Sequence, residues 1–217
     1  MRNLLPLLAA SVILIGCSTS PQPAKKEAAA EQPAGPVQAP EKFQAKFQTN
    51  QGDFTIEVVR EWAPRGADRF YELVNRHYFD GARFYRVVKK FIAQFGMSKD
   101  PKTNQLWSQL KLVDDPGKQS NKRGFVSFAQ LGPKTRTTQV FINLADNAKL
   151  LDKSGFVPFG KVVSGMDVVD QLYSGYGDMP PRGEGPDPTK YGSLGDEYLE
   201  RSFSKLDTIK SVALIAQ

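Results

Sequence analysis

After about residue 42 the apolar residues of this chain fall into short runs with a period of two, and that spacing restricts the fold more than any other feature. Phe43, Ala45 and Phe47 alternate with polar neighbours, Asn50-Gln51-Gly52 supplies a turn, and Phe54, Ile56 and Val58 alternate again. Successive strand side chains point to opposite faces, so each run buries one face and the two read as a hairpin. Asp80-Gly81 marks another turn before a strand at 83–88. Further strands are predicted at 92–95, 126–129, 140–143, 157–163 and 208–215. Two helical stretches interrupt them. Pro64 opens the first, with Ala67, Phe70, Leu73 and Val74 on one face; Met166, Val169 and Leu172 share a face of the second, at 166–173. Strands and helices do not alternate in the βαβ manner, so the residues alone point to an antiparallel barrel or sandwich. Segments 97–123, polar but containing Trp107, and 174–205, rich in Gly and Pro, are predicted as surface excursions, with a short helix within 194–203.

The first 42 residues read differently. Arg2 is followed by an apolar run at 4–15, shorter than the roughly 20 residues that span a bilayer. Residues 1–16 therefore read as a signal peptide and not as part of the fold. From 17 to 42, Pro21, Pro23, Pro33, Pro36 and Pro40 are interleaved with alanine and glutamine. That composition lacks the apolar surface to offset ordering, so it reads as a tether. Residues 43–217, about 175 in number, suffice for one domain with a substantial core. Leu14-Ile15-Gly16-Cys17 resembles the lipobox of bacterial lipoprotein signals. The resemblance implies lipidation of Cys17 and attachment to a membrane facing the periplasm. Several acyl chains on one residue exceed what stable anchoring requires. Ser18, where an aspartate would retain the protein at the inner membrane, favours the outer membrane of a Gram-negative cell. Cys17 is the only cysteine, so it has no disulfide partner within the chain.

Composition excludes several kinds of chemistry. The chain carries 29 Lys+Arg against 23 Asp+Glu, a formal charge of +6, but the basic residues are scattered among acidic ones. This is a solvated surface, and no nucleic-acid partner is expected. There is no Gly-x-Ser-x-Gly elbow and no phosphate loop, and one histidine, His77, cannot build the usual zinc site. No cofactor or metal is expected. What remains is a guanidinium, Arg86, with the amides of Gln94, Gln130 and Gln139 and a set of apolar groups around them. Taken singly these are unremarkable. By strand alternation Arg86 shares a face with Phe84 and Val88 and could simply lie over the sheet with its stem buried. Gln94 and Gln139 could be ordinary strand amides, and Phe91, Ile92, Phe141 and Leu151 core residues.

Order and spacing change that reading. Phe84, Tyr85, Arg86, Val87, Val88, Phe91, Ile92 and Gln94 match, in register, the first signature of the cyclophilin family of peptidyl-prolyl isomerases. Ala129, Gln130, Gly132, Pro133, Gln139, Val140, Phe141 and Ile142 match the second. Leu151-Asp152, Phe156, Phe159-Gly160-Lys161-Val162 and Gly165-Met166 continue the match, which covers about 44–217. The chain thus resembles a divergent bacterial cyclophilin. The resemblance implies a mainly β fold, a closed antiparallel eight-stranded β-barrel capped by two α-helices. It implies that Arg86 is the catalytic arginine, alone as a cation over an apolar hollow. Phe91, Ile92, Phe141 and Leu151 would line the proline pocket, with Ala129, Leu150 and Phe156 at its border. Gln94, Gln130 and Gln139 would hold the peptide backbone. The partners implied are proline-containing polypeptides, bound by a monomer. The chain departs from the family pattern in four places: Phe156 replaces a frequent histidine, Leu150 a frequent tryptophan of the drug-binding rim, Gln130 an asparagine, and the pair Phe95-Gly96 a glycine pair. Weak cyclosporin binding is expected from Leu150.

Rotation about a peptide bond costs about 18–20 kcal/mol because resonance is lost, and X-Pro bonds turn over tens to hundreds of seconds. As the bond twists, the nitrogen regains its lone pair and becomes a hydrogen-bond acceptor. A guanidinium aimed there, or at the adjacent carbonyl, favours the twisted state over either ground state. The competing class is a membrane-tethered chaperone or scaffold that binds proline-containing segments without turning them.

Overall fold

The computed structural model describes residues 37–215. The signal at 1–16, Cys17 and the tether up to residue 36 lie outside the described residues. The fold takes in the chain from Ala39, which is buried and donates its backbone N–H to Asp68 Oδ1 at 2.8 Å.

The expected hairpin forms from β1 (Lys42–Thr49) and β2 (Asp53–Val59). Its alternating residues Phe43, Ala45, Phe47, Phe54, Ile56 and Val58 all enter the core. Phe47 lies opposite Phe54 in the register, and their rings stack with centroids 4.7 Å apart. The turn needs Gly52, whose φ of +135° is unfavourable for a side chain. Helix α1 (Pro64–Asn75) begins with proline at its first turn, where no backbone donor is lost. It buries Gly66, Ala67, Phe70, Leu73 and Val74, and Phe70 meets Phe159 at 5.0 Å. Burying such a side chain contributes about 1.5–3 kcal/mol.

The remaining strands are β3 (Arg86–Val88), β4 (Ile92–Phe95), β5 (Phe125–Phe128), β6 (Val140–Asn143), β7 (Pro158–Ser164) and β8 (Ile209–Ile215). They form one antiparallel sheet in the order β3-β4-β6-β5-β7-β2-β1-β8. The eight strands are as expected, but the closed barrel is not: the sheet curls into a half-barrel whose edge strands, β3 and β8, do not pair as strands. β3 is only three residues long, and the chain ahead of it leaves the extended ladder. The seam is crossed by the isolated bridge Arg83↔Thr208, with Phe84 N–H donating to Asp207 O at 3.0 Å and Ile209 N–H to Ala82 O at 2.8 Å.

Two capping helices are also too few. Besides α1 the described residues contain α2 (Pro101–Ser108), α3 (Ala148–Leu151), α4 (Met166–Asp170), α5 (Pro188–Leu194) and α6 (Asp196–Ser202). The helix expected at 166–173 stops at Asp170, although Val169 and Leu172 are buried as the spacing implied. Neither long segment is merely a surface excursion. In the first, Trp107 on α2 is buried edge-on against Tyr78, with centroids 5.5 Å apart. In the second, Tyr191 on α5 and Leu199 on α6 join Tyr85, Met97 and Leu206 in a small second core. Arg83 ties α6 down by a two-pronged ion pair to Asp196, at 3.2 and 2.9 Å. Sparse aromatic anchors, separated by Gly and Pro, do the packing that regular periodicity does elsewhere.

Candidate active site

Register alone places the main groups. Arg86 lies opposite Gln94 on the β3–β4 ladder, and Gln94 lies opposite Phe141 on β4–β6. Directly opposed residues share a face. Their strand neighbours Val87, Ala93, Phe95, Val140 and Ile142 all belong to the main core. Arg86, Gln94 and Phe141 therefore point outward from the half-barrel. The expectation that Arg86 shares a face with Phe84 is corrected: Phe84 is in the core, and the non-strand residues ahead of Arg86 break the alternation.

On this outer side Ile92, Phe141 and Leu151 form a buried apolar cluster separate from both cores, rimmed by half-buried Phe91, Ala129 and Phe156. Phe156 packs edge-on against Phe141 with centroids 5.5 Å apart. Leu150, on α3 beside Leu151, turns away from the cluster and is 60% exposed. The segments that carry the rim are held by buried and half-buried amides. Asn147 Nδ2 donates to Phe91 O at 2.9 Å and to Asn143 Oδ1 at 2.8 Å. Asn121, fully buried, donates from Nδ2 to Phe156 O and to Asp152 Oδ1, both at 2.8 Å. Ser127 Oγ donates in turn to Asn121 Oδ1 at 2.8 Å. Buried amides are retained where such bonds satisfy them.

Arg86 stands at the edge of this cluster, its guanidinium carbon 5.8 Å from the centre of the Phe91 ring. Its side chain is 8% exposed. Nη1 donates to Gln94 Oε1 at 2.9 Å, and Nε donates to Asp178 Oδ1 at 2.7 Å. The expected lone cation is thus corrected: a carboxylate from the Gly/Pro-rich segment pairs with it. Burial works to raise the Asp178 carboxyl, but the hydrogen bond and charge of Arg86, with the Met179 amide and Arg182, outweigh it and hold it below the usual carboxylate range. Gln94 is committed at both ends, since Nε2 donates to Tyr85 Oη and to Gln139 Oε1, which also accepts from Tyr85 Oη. Burial pushes the Tyr85 phenol far up, so it is a neutral donor in this chain of bonds.

Two surface grooves adjoin the site. One, of about 520 Å³, reaches Phe156 and Gln130, whose Nε2 donates to Ser154 O at 3.0 Å. The other, of about 540 Å³, reaches half-buried Gln139 between α2 and α5. The close approach of the chains beside it depends on Gly96, where a Cβ would lie 2.4 Å from Thr138 O. The structure thus brings together Arg86, Phe91, Ile92, Gln94, Ala129, Gln139, Phe141, Leu151 and Phe156. It leaves Gln130 in the adjoining groove and Leu150 outside. An apolar patch with a fixed, charged hydrogen-bond donor at its edge can hold a ring and donate to an acceptor beside it. Asp178 and the Asn121–Asn143–Asn147 brace escaped the sequence reading. Asp178 is 92 positions from Arg86, and no local periodicity signals such a pairing.

Residues 44–188 match the family model for cyclophilin-type peptidyl-prolyl cis-trans isomerases. The chain belongs to that family. A peptidyl-prolyl cis-trans isomerase of Acinetobacter baylyi is 34% identical to this cyclophilin over 132 residues, 58% of the chain and 70% of the relative. A peptidyl-prolyl cis-trans isomerase-like 1 protein of Rhizopus delemar is 34% identical over 138 residues, 61% of the chain and 81% of the relative. In fold, the cyclophilin is similar to a crystal structure of a cyclophilin-type isomerase from Cryptosporidium parvum, with a TM-score of 0.59 at 21% identity, covering 81% of this chain and 99% of that one. A second structure of that protein was obtained in the presence of the dipeptide Ala-Pro. The chain is a cyclophilin-type peptidyl-prolyl cis-trans isomerase.

Proposed function

We propose that this cyclophilin turns Xaa-Pro bonds in extracytoplasmic client chains, with Arg86 as the catalytic residue, while a lipid on Cys17 holds it at a bacterial membrane. The observation that carries the site assignment is the position of Arg86, 5.8 Å from the Phe91 ring at the edge of an apolar cluster that belongs to neither core. The proline ring packs on Ile92, Phe141 and Leu151, between Phe91 and Phe156. The twisted imide then presents its nitrogen lone pair toward the guanidinium, which stabilises that state more than the planar ones. An apolar bed also favours the less dipolar twisted amide. Gln139 and Gln130, each bordering a groove, hold the peptide backbone on its way in and out of the cluster. The lipobox-like Leu14-Ile15-Gly16-Cys17, followed by a proline-rich stretch, supports delivery outside the cytoplasm, and Ser18 supports the outer membrane.

The test is exchange spectroscopy on an Ala-Pro peptide with the purified chain. Wild type accelerates interconversion, and Arg86→Ala lowers it at least tenfold, about 1.4 kcal/mol of barrier, with the fold intact. Unchanged turnover in the variant refutes the role of the arginine. Peptide broadening without acceleration by the wild type makes the site a binding module instead. For the address, mass spectrometry of membrane-extracted protein should find an acylated Cys17 as the new amino terminus. Release of Cys17→Ser into the soluble fraction should accompany it.

A further inference from the structure

We infer that Asp178 is a positioning residue that holds the Arg86 guanidinium in its working orientation, a role supplied by the 174–205 segment to the isomerase site. The inference rests on the assignment of Arg86 as the catalytic arginine. A guanidinium offers five N–H donors in a planar fork. Gln94 takes Nη1 at 2.9 Å and Asp178 takes Nε at 2.7 Å, on different edges of that plane. Nη2 has no hydrogen-bond partner among the described residues. Two edges are thus held by the protein and one donor group is left for a ligand. With Gln94 alone, the long side chain could swing about a single contact; the second contact fixes both the plane and its rotation. Charge-assisted bonds of this length are the strong, directional ones.

Asp178 is itself built in. Its Oδ1 accepts the Met179 N–H at 2.8 Å, and its Oδ2 lies 3.3 Å from Arg182 Nε. Its backbone oxygen accepts from Gly185 N–H at 2.9 Å. The loop folds tightly about that oxygen: a Cβ at Gly183 would sit 2.3 Å from it, and only glycine leaves the room. Arg182 on the second oxygen matters for the charge. It lies by the oxygen other than the one that accepts from Arg86 Nε, so Asp178 orients the guanidinium with part of its charge already offset. The segment itself is anchored by Tyr191 and Leu199 in the second core, which also contains Tyr85, the residue preceding Arg86. The loop and the arginine are therefore fastened to one apolar cluster.

The test is a two-by-two comparison of wild type, Asp178→Asn, Arg86→Ala and the double variant, with kcat and KM for an Ala-Pro peptide read separately. Asparagine keeps an acceptor for Met179 N–H and removes the charge. The expected result is a fall in kcat of about tenfold in Asp178→Asn, KM within twofold, and no further loss when the same change is made on Arg86→Ala. Equal losses in both backgrounds, no loss, or faster turnover in Asp178→Asn would each overturn the inference, the last by showing that the ion pair restrains the arginine. If Arg86→Ala alone leaves kcat unchanged, the catalytic assignment has failed first, and the inference goes with it. Should the asparagine variant not fold, the wild type still decides. Its Arg86 Nε–H resonance should be slow to exchange with solvent and should sharpen no further on peptide binding. A rapidly exchanging Nε–H in the free protein overturns the proposal by itself.

Discussion

Arg86 and Gln94 face each other across neighbouring strands, and the amide that accepts from the guanidinium also donates to Tyr85 and Gln139. Gln94 is buried, so each of these bonds is made without competition from water. It therefore works as a link in a chain and has no donor left over for a ligand.

Replacing Gln94 with Ala should cut isomerase turnover about tenfold, or about 1.4 kcal/mol of barrier, because Arg86 loses the bond to Nη1. Stability should fall by about 1–3 kcal/mol, since Tyr85 and the guanidinium lose buried partners. Exchange spectroscopy and chemical denaturation on the same preparation measure the two effects. Full activity in the variant would show that Gln94 holds nothing that matters to catalysis.

The apolar cluster and the main core should answer truncation differently. Phe70 is fully buried at the junction of α1 and the sheet, where Phe70→Ala should cost about 3–5 kcal/mol. Phe141 lies under a rim of half-buried residues that can close over part of the space, so Phe141→Ala should cost less, about 1–3 kcal/mol. Its effect on peptide affinity should be the larger one, at least tenfold by titration of an Ala-Pro peptide. Peptide affinity that is unchanged in Phe141→Ala would remove the cluster as the proline site.

Much of this architecture was legible in the chain because it follows simple periods. The hairpin from Phe43 to Val58 follows a repeat of two and the buried face of α1 one of 3.6 residues, while the strands around Gln94 and Phe141 are short runs buried at every position. The signature spacing from Phe84 to Gln94 then picks out the outward-facing residues that the period alone leaves ambiguous. What could not be read is what is fixed by contacts between distant segments. Tyr191 and Leu199 look like isolated apolar residues in a Gly/Pro-rich stretch until Tyr85 and Met97 come beside them. Likewise Asp178 and Arg86 meet only because that segment folds back. Closure of the barrel failed for a local reason, the shortness of β3.

High pH should unfold the domain through its buried tyrosines. Burial raises the Tyr78 phenol to about 12, against hydrogen bonding to Thr138 that works to lower it, and burial pushes Tyr85 and Tyr191 further up. The folded state keeps these protons while the unfolded chain loses its own near pH 10. Stability is therefore fully present below about pH 10 and declines above it, by about 1.4 kcal/mol per pH unit for each such tyrosine. Denaturation midpoints between pH 8 and 12 should show this slope. In Tyr78→Phe the slope should be shallower by about one tyrosine's share, and an unaltered slope would mean that the phenol ionises in the folded state.

The buried carboxylate of Asp115 should prove the costliest single charge to remove. It accepts the backbone N–H groups of Arg65 and Gly66, both at 2.9 Å, and so caps the first turn of α1 from 49 positions away. Its Oδ2 also accepts from Arg136 Nη1 at 3.0 Å, in a pair whose side chains are almost fully enclosed. Arg136 Nε already lacks a hydrogen-bond partner among the described residues. Taking away the carboxylate would leave a buried cation with only the Val113 carbonyl and a distant Asp114. Breaking a buried pair from one side costs about 3–5 kcal/mol, and loss of a cap adds about 1 kcal/mol. Asp115→Ala should therefore lower the denaturation midpoint more than Gln94→Ala or Phe141→Ala does. The double change Asp115→Ala with Arg136→Met should recover part of that loss by removing the stranded charge. A double variant no more stable than Asp115→Ala would locate the cost in the helix cap alone.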